Sequence, residues 1–292
     1  MLERILLPLD GSDLAEAVIP YGEELARKLG SEVILLHVCP PDHKLAHNMH
    51  QLYLKKMAEL MQERLKNGAK VRSQHLFGDF AKVICDYIEK NDIGLLIMVA
   101  HGFTSLKVRL MGSIVDRIFR LVSCPMLLIR TGDGIQAKKK ELIGRILLPL
   151  DGSKNSEVAI ATAQELALKL KAEVSLYRMA KKAYYAPSKE DIVGDRGIDD
   201  EAIDRAEKER TQAYLKGIED RLKQQGIDTA SSVTLGDDPA KEITAAGREA
   251  DADLVVMATR GRSPITAWAP GSIAHKLLAS GDLPLLIVRK AA

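Results

Sequence analysis

The feature that most constrains this chain is an internal repeat. Nine residues, Arg-Ile-Leu-Leu-Pro-Leu-Asp-Gly-Ser, stand at 4–12 and again, letter for letter, at 145–153. A second correspondence comes late in each half, where Gly102, Gly112-Ser113 and Pro125 match Gly261, Gly271-Ser272 and Pro284. An identity of this length together with matched glycines indicates that a whole folding unit is duplicated. The 292 residues therefore predict two domains, 1–132 and 143–292, joined by a linker at 133–142.

The two correspondences differ in spacing. The first segments lie 141 residues apart and the later ones 159, so the second half carries 18 additional residues between them. We expect this insertion after the second strand of that half, at 180–200, where the sequence is polar and contains Pro187, Gly194 and Gly197.

In each half, short apolar runs alternate with longer amphipathic stretches. The runs predict strands at 5–9, 33–38, 71–77, 95–99 and 126–129, then at 146–150, 174–177, 232–235, 254–258 and 285–288. Helices are expected near 14–29, 46–67, 79–91 and 113–122. Near-continuous apolar strands are typical of parallel sheets that are covered on both faces, and the alternation indicates right-handed crossovers. The fold class is α/β, with two tandem doubly wound five-stranded parallel-sheet domains.

Composition and charge argue against several classes of function. The chain has 42 basic and 40 acidic residues, a net charge of +2, and 4% aromatic residues. This balance favours neither nucleic acid nor an anionic membrane as a partner. There is no apolar run of the ~20 residues that a membrane helix needs, and the N-terminus has no signal-peptide layout. Three cysteines without a Cys-x-x-Cys pair indicate a reducing compartment, so we expect a cytoplasmic protein.

Two motifs in each half fall at predicted strand ends, where open parallel sheets bind ligands. One is the repeated Pro-Leu-Asp-Gly-Ser; the other is a glycine, nine residues, and Gly-Ser at the start of a helix. Glycines and the free N–H groups of a helix start suit a phosphate. Ser113 and Ser272 could instead be ordinary N-caps, but their pairing with an Asp motif, twice over, favours a ligand. Asp10 and Asp151 are equally compatible with turn formation and with a carboxylate that binds a ribose hydroxyl or an adenine amino group.

These segments together resemble the universal stress protein family. The resemblance rests on Ile-Leu-Leu-Pro-Leu-Asp-Gly-Ser, on Leu-Ile-Met-Val-Ala-His-Gly with Gly-Ser-Ile-Val-Asp-Arg-Ile, and on Leu-Val-Val-Met-Ala-Thr-Arg-Gly-Arg-Ser with Gly-Ser-Ile-Ala-His-Lys-Leu. It covers nearly the whole chain apart from the linker and 180–200. It implies two Rossmann-like, adenine nucleotide alpha hydrolase-like domains and a role in stress response. Some members bind ATP through Gly-x-x-Gly, nine residues, Gly-Ser/Thr.

Carried over position by position, the resemblance implies a site for ATP or AMP, with Mg²⁺ accompanying ATP. In the second half the residues would be Pro149, Asp151, Met179, Ala258, Arg260, Gly261, Gly271, Ser272 and Ile273. In the first half they would be Pro8, Asp10, Val38, Gly102, Gly112, Ser113 and Ile114.

Both halves depart from the nucleotide motif at its first glycine. The first half has Val99 there and the second has Ala258. A β-branched residue is stiff and poorly tolerates positive φ, whereas Ala258 adds a single methyl group. We therefore favour the second half as the nucleotide site.

The leading hypothesis is a cytoplasmic stress-response protein that binds an adenine nucleotide without turning it over, since no catalytic motif accompanies the site. The alternatives are a protein-interaction scaffold that binds no nucleotide and a weak ATP hydrolase. The resemblance also implies that the last strands, 125–130 and 284–289, pair with each other within the chain. A homodimer of the whole chain is left open.

Three histidines, His43, His47 and His50, would share one face of a helix and could bind a metal ion. No cysteine or acidic residue completes a ligand set on that face. We therefore interpret it as a polar helix face and predict no metal site.

Overall fold

The protein is described by a computed structural model that covers residues 2–40, 47–65, 68–100, 113–130, 141–182, 200–259 and 272–289. The elements of the first half are β1 Arg4–Pro8, α1 Asp13–Glu16, α2 Ile19–Leu29, β2 Glu32–Cys39, α3 His47–Leu65, β3 Val71–Phe77, α4 Phe80–Lys90, β4 Leu95–Val99, α5 Ser113–Leu121 and β5 Met126–Ile129. Those of the second half are β6 Arg145–Pro149, α6 Val158–Leu170, β7 Glu173–Lys181, α7 Asp200–Gln224, β8 Thr229–Gly236, α8 Pro239–Glu249, β9 Leu254–Thr259, α9 Ile273–Ser280 and β10 Leu285–Arg289.

The predicted strands and helices are present, and the largest differences lie around the insertion. β7 continues to Lys181, four residues beyond the predicted end, because it pairs with β8 as far as Gly236. Helix α7 ends at Gln224, 159 residues after its counterpart α3 ends at Leu65, so the additional residues all precede the end of this helix. Residues 183–199 lie outside the described residues.

One ten-stranded sheet runs through both halves, in the order β3-β2-β1-β4-β5-β10-β9-β6-β7-β8. The pairing is parallel within each half, and it is antiparallel where β5 meets β10. In each half the strand order reverses beside the first strand, between β1 and β4 and between β6 and β9. This is the doubly wound arrangement, and it predicts a crevice at the carboxyl end of each reversal.

The strands at each reversal separate before they end. β1 pairs with β4 at Ile5 and Leu6, although β1 continues to Pro8. β6 pairs with β9 in the same way, at Ile146 and Leu147. The proline at the end of each first strand has no N–H to donate to a neighbouring strand, which suits the separation. Each half therefore opens a crevice directly beside its Asp-Gly-Ser turn.

Two apolar layers cover the faces of the sheet, and each layer is continuous across both halves. Because side chains alternate along a strand, Ile5 and Leu7 enter one layer and Leu6 enters the other. The first layer is closed by helices α2, α3, α6 and α7, and the second by α4, α5, α8 and α9. The inner strands of the sheet are thus buried on both faces, as their near-continuous apolar sequences require.

The junction between the halves confirms the expected pairing of the last strands. Leu128, Leu127 and Met126 of β5 stand opposite Leu285, Leu286 and Ile287 of β10. Two arginines, one from each half, then make contacts across this junction. Arg130 donates to the carbonyl oxygen of Leu277 at 3.3 Å, and the Arg289 guanidinium lies 4.5 Å from the centre of the Phe119 ring. Two otherwise exposed sheet edges are covered by each other.

A buried carboxylate holds the point where the chain enters the second half. Glu24 on α2 is 4% exposed, and its oxygens accept hydrogen bonds from the backbone N–H groups of Leu142 (2.8 Å) and Ile143 (3.1 Å). Residue 142, which the sequence assigned to the linker, is therefore bonded to the first half. A helix of the first half is thereby bonded to the segment that leads into β6 of the second half.

Replacement of this carboxylate tests the tie. We expect Glu24→Ala to lower the free energy of unfolding by about 2–6 kcal/mol, because two N–H groups lose their acceptor at a cost of about 1–3 kcal/mol each. Urea denaturation followed by circular dichroism measures the change. Glu63→Ala, at an exposed position of α3, is the control and should stay within about 0.5 kcal/mol of the parent protein. Equal effects of the two substitutions would contradict this role for Glu24.

Candidate functional site at the strand ends

In the first half, Asp10 forms the turn that follows β1. Its Oδ1 accepts hydrogen bonds from the backbone N–H of Ser12 (2.9 Å) and from the Ser12 hydroxyl (2.6 Å). Between them Gly11 has φ +86°, a left-handed conformation that favours glycine. Ser12 in turn caps α1 by accepting from the N–H of Ala15 at 3.2 Å. Asp10 itself is exposed, so its carboxylate forms the turn and also remains accessible to solvent.

The second half repeats this turn and adds further bonds to it. Oδ1 of Asp151 accepts from the N–H of Ser153 at 2.8 Å, and Gly152 has φ +81°. Partial burial raises the pKa of the Asp151 carboxyl, but hydrogen bonds from Ser153 and Ser156 and the nearby Arg178 charge outweigh it and leave the pKa below its usual range. Asp151 is thus a stabilised anion at the end of β6.

A residue that the sequence analysis missed lies over this turn. The guanidinium of Arg178, on β7, is so close to Gly152 that a Cβ added there would lie 2.5 Å from Nη1. The same guanidinium lies 5.0 Å from the centre of the Tyr214 ring, a cation–π contact. The Tyr214 ring is held in turn by a hydrogen bond, which its hydroxyl donates to Glu157 at 2.9 Å. The signal in the sequence was a cation beside Met179, a residue already assigned to the site.

Arg178 has a different counterpart in the first half. The residue 141 positions earlier is His37. A Cβ added at Gly11 would meet no side chain within 4 Å, whereas one at Gly152 would meet Arg178. The two turns therefore share their sequence and backbone shape, but their electrostatic surroundings differ. Acidic and basic groups stand together at the crevice of the second half.

The other predicted site residues fall into three groups. Pro8 and Pro149 are buried at the strand ends, Val38 is buried, and Met179 is half-buried. Ile114 and Ile273, in the first turns of α5 and α9, are 50% and 37% exposed. The described residues do not include Gly102, Gly112, Arg260, Gly261 or Gly271, nor the side chain of Ser113.

Ser272 is the N-cap of α9, which is the structural alternative that the sequence left open. Its Oγ accepts from the N–H of His275 at 3.3 Å, and its φ and ψ of −60° and 150° are those of a capping residue. A hydroxyl that accepts one bond still has a proton to donate. Capping is therefore compatible with a further contact from Ser272 to an anion.

Val99 does not meet the steric obstacle that the sequence predicted for it. Val99 ends β4 opposite Ile129, and Ala258 lies within β9 opposite Val288. Neither is among the described residues with positive φ. Extended backbone accepts β-branched residues readily, so Val99 is unstrained and differs from Ala258 in side-chain bulk.

The interpretation of the histidines as a polar helix face is also wrong for His50. Its ring is half-buried, and its centre lies 4.2 Å from that of His37 on β2. His43 and the side chain of His47 lie outside the described residues.

Comparison with known proteins identifies the family of this chain. The model of the universal stress protein family matches residues 1–130 and again residues 143–289. The chain belongs to the universal stress protein family. The two matches together span most of the 292 residues, and this membership supports a role in stress response.

Relatives by sequence carry the same family name. A universal stress protein of Mycobacterium tuberculosis is 25% identical over 201 residues, covering 69% of this chain and 63% of the relative, so less than two thirds of that protein is matched. A universal stress protein of Bacillus subtilis is 28% identical over 151 residues, 51% of this chain and 100% of the relative.

Solved structures share the fold over nearly the whole chain. A universal stress protein from Archaeoglobus fulgidus superposes with a TM-score of 0.75 at 18% identity, covering 99% of both chains. A functionally unknown protein from Pseudomonas aeruginosa gives a TM-score of 0.71 at 16% identity, covering 99% of this chain and 93% of that one. At these identities the likeness establishes the fold. Within the described segments, no helix is both long and apolar enough to cross a membrane.

The twin turns allow a matched pair of substitutions. Gly11→Ala and Gly152→Ala both force an L-residue into a left-handed conformation, so each should lower the free energy of unfolding by about 1–2 kcal/mol. The guanidinium that a Cβ at residue 152 would meet is the end of a flexible side chain and can move aside. Urea denaturation should therefore give similar losses for both. A loss at Gly152 several-fold larger than at Gly11 would show that Arg178 is fixed rather than mobile.

Proposed function

We propose that this protein is a cytoplasmic stress-response protein that binds an adenine nucleotide in the crevice between β6 and β9. The observation that carries the proposal is the placement of Asp151 and Arg178 together at the carboxyl end of a strand-order reversal. The three cysteines, Cys39, Cys85 and Cys124, form no disulfide, which suits the reducing interior of a cell.

The chemistry of the pair suits the two ends of a nucleotide. A carboxylate has several lone pairs, so Asp151 can accept from a ribose hydroxyl or an adenine amino group while it keeps its bond to Ser153. The Arg178 guanidinium presents planar donors that match phosphate oxygens. Ser272 at the start of α9 adds a hydroxyl and the positive end of a helix. Half-buried Met179 supplies apolar surface near the strand end.

The second half is favoured over the first on electrostatic grounds. The first crevice has Asp10 but His37 where the second has Arg178, and the His37 ring is 4% exposed and donates to the carbonyl of Leu9 at 2.7 Å. Burial lowers the pKa of His37, which favours the uncharged ring at neutral pH. The first crevice therefore lacks an equivalent cation at this position.

The proposed activity is binding of the nucleotide without its hydrolysis. Hydrolysis needs a group that positions and deprotonates an attacking water. Asp151 is a poor general base, because the hydrogen bonds that lower its pKa also stabilise its anion. Mg²⁺ would accompany ATP through the phosphates.

A pair of isosteric substitutions tests the site. Asp151→Asn keeps an oxygen that can accept from Ser153 and removes the charge, and Asp10→Asn does the same in the first half. A hydrogen bond to a charged group contributes about 1.5–3 kcal/mol, so Asp151→Asn should weaken ATP binding by about tenfold or more. Isothermal titration of the full chain with ATP and with AMP measures the affinities. Asp10→Asn should leave them unchanged.

Other outcomes separate the alternatives. Absence of binding at millimolar nucleotide would refute the proposal and favour the interaction scaffold. A loss of affinity confined to Asp10→Asn would show that the nucleotide binds in the first half and not in the second. Phosphate release that disappears with Asp151→Asn would instead support the weak hydrolase.

A further inference from the structure

Four metal-ligating side chains meet in the first half, next to Val38 and close to the Asp10 turn, and none of the four is itself assigned to the nucleotide. They are His37 and Cys39 on β2, His50 on α3 and His75 on β3, and their ligand atoms all lie within 4.8 Å of one another. His37 and Cys39 are buried, and His50 and His75 are half-buried. The cluster thus offers three imidazoles and one thiol in a largely enclosed place.

The topology explains why these residues converge. His37 and Cys39 are two apart on one strand, so they share a face, and His75 is the residue in register with His37 on the neighbouring parallel strand. The two rings stack with centres 5.3 Å apart and planes 13° from parallel. His50 lies one helical turn before Leu54, which is 1% exposed and packs on the same face of the sheet. Strand pairing and helix packing therefore bring all four together.

Hydrogen bonding prepares His37 as a ligand. A carbonyl oxygen accepts only, so His37 Nδ1 carries the proton that it donates to Leu9 at 2.7 Å. Its Nε2 is left with a lone pair, and this atom is in close contact with Nδ1 of His50. A histidine whose second nitrogen is held by a carbonyl is the usual arrangement around a bound metal ion. The ring is thus fixed in the orientation that a ligand needs.

We propose that His37, Cys39, His50 and His75 form a four-coordinate Zn²⁺ site. Imidazole and thiolate are the ligands that Zn²⁺ prefers, and four of them fill a tetrahedral site. Zn–N and Zn–S bonds of about 2.0–2.3 Å place the ligand atoms of such a site roughly 3.3–3.6 Å apart. Modest side-chain rotations bring ligand atoms within 4.8 Å to that separation.

The duplicated half supplies an internal comparison. The positions that correspond to His37 and Cys39 are Arg178 and Ala180, neither of which is a Zn²⁺ ligand. The cluster is therefore a property of the first half and not of the repeated strand. A bound ion would join α3 to β2 and β3 beside Leu9, the residue that precedes Asp10.

Zinc and cobalt binding by the full chain tests the proposal. After chelation and dialysis, the protein should take up one Zn²⁺ per chain, measured by elemental analysis and by competition with a chromophoric chelator. Co²⁺ should give the intense visible bands of four-coordination together with a thiolate-to-metal charge-transfer band in the near ultraviolet. Zn²⁺ should also raise the melting temperature, because it binds the folded state.

Two variants and one control locate the ion. Cys39→Ser should abolish the thiolate band and weaken Zn²⁺ binding by more than about 100-fold, the upper end of the loss from an outer-shell partner. His75→Gln, at a half-buried position, should weaken binding similarly and serves if Cys39→Ser does not fold. Cys85→Ser, which removes a half-buried thiol on α4, should change nothing. No Zn²⁺ uptake, or uptake that survives Cys39→Ser and His75→Gln, would overturn the proposal.

Discussion

The antiparallel pairing of β5 with β10 is the interaction on which the rest of this structure depends. It joins two five-stranded sheets into one, and both apolar layers run across it. Each partner strand would otherwise be an apolar edge, which exposes unpaired backbone groups and invites association. Because the pairing lies within a single chain, the halves meet at high effective concentration and in one register. Arg130 and Arg289 then make further contacts across this pairing.

Each half keeps its crevice because the junction lies in the middle of the ten-stranded sheet, at the inner edge of each half, and not at the strand-order reversals. β1 and β4 separate after two paired residues, as do β6 and β9, so the Asp-Gly-Ser turns stand at openings. The duplication thus provides two crevices with the same backbone arrangement. One residue on the second strand of each half, His37 or Arg178, changes the chemistry beside the turn. The first half gathers imidazoles and a thiol there, and the second places a cation near a carboxylate.

Sequence reasoning located most strands and helices because buried parallel strands are nearly continuous apolar runs. It was less accurate at β7, whose last four residues extend the strand by pairing with the edge strand β8. Asp10 and Asp151 were identified through the repeat, and their turns have the expected shape. Arg178 was missed because nothing near it in the chain indicates that it folds over Gly152. The steric objection to Val99 failed because β4 extends through that residue.

The pairing of the last strands was implied by the family resemblance, whereas the sequence by itself determined the duplication, the α/β class and the strand-end turns. These follow from local patterns, that is, from periodicity, repeated letters and the glycine that a left-handed turn requires. Tertiary structure decided which distant side chains meet. His37, His50 and His75 are separated by 13 and 25 residues, and they converge because strand register and helix packing bring them to one face. Such contacts depend on three-dimensional packing, which no window of the sequence contains.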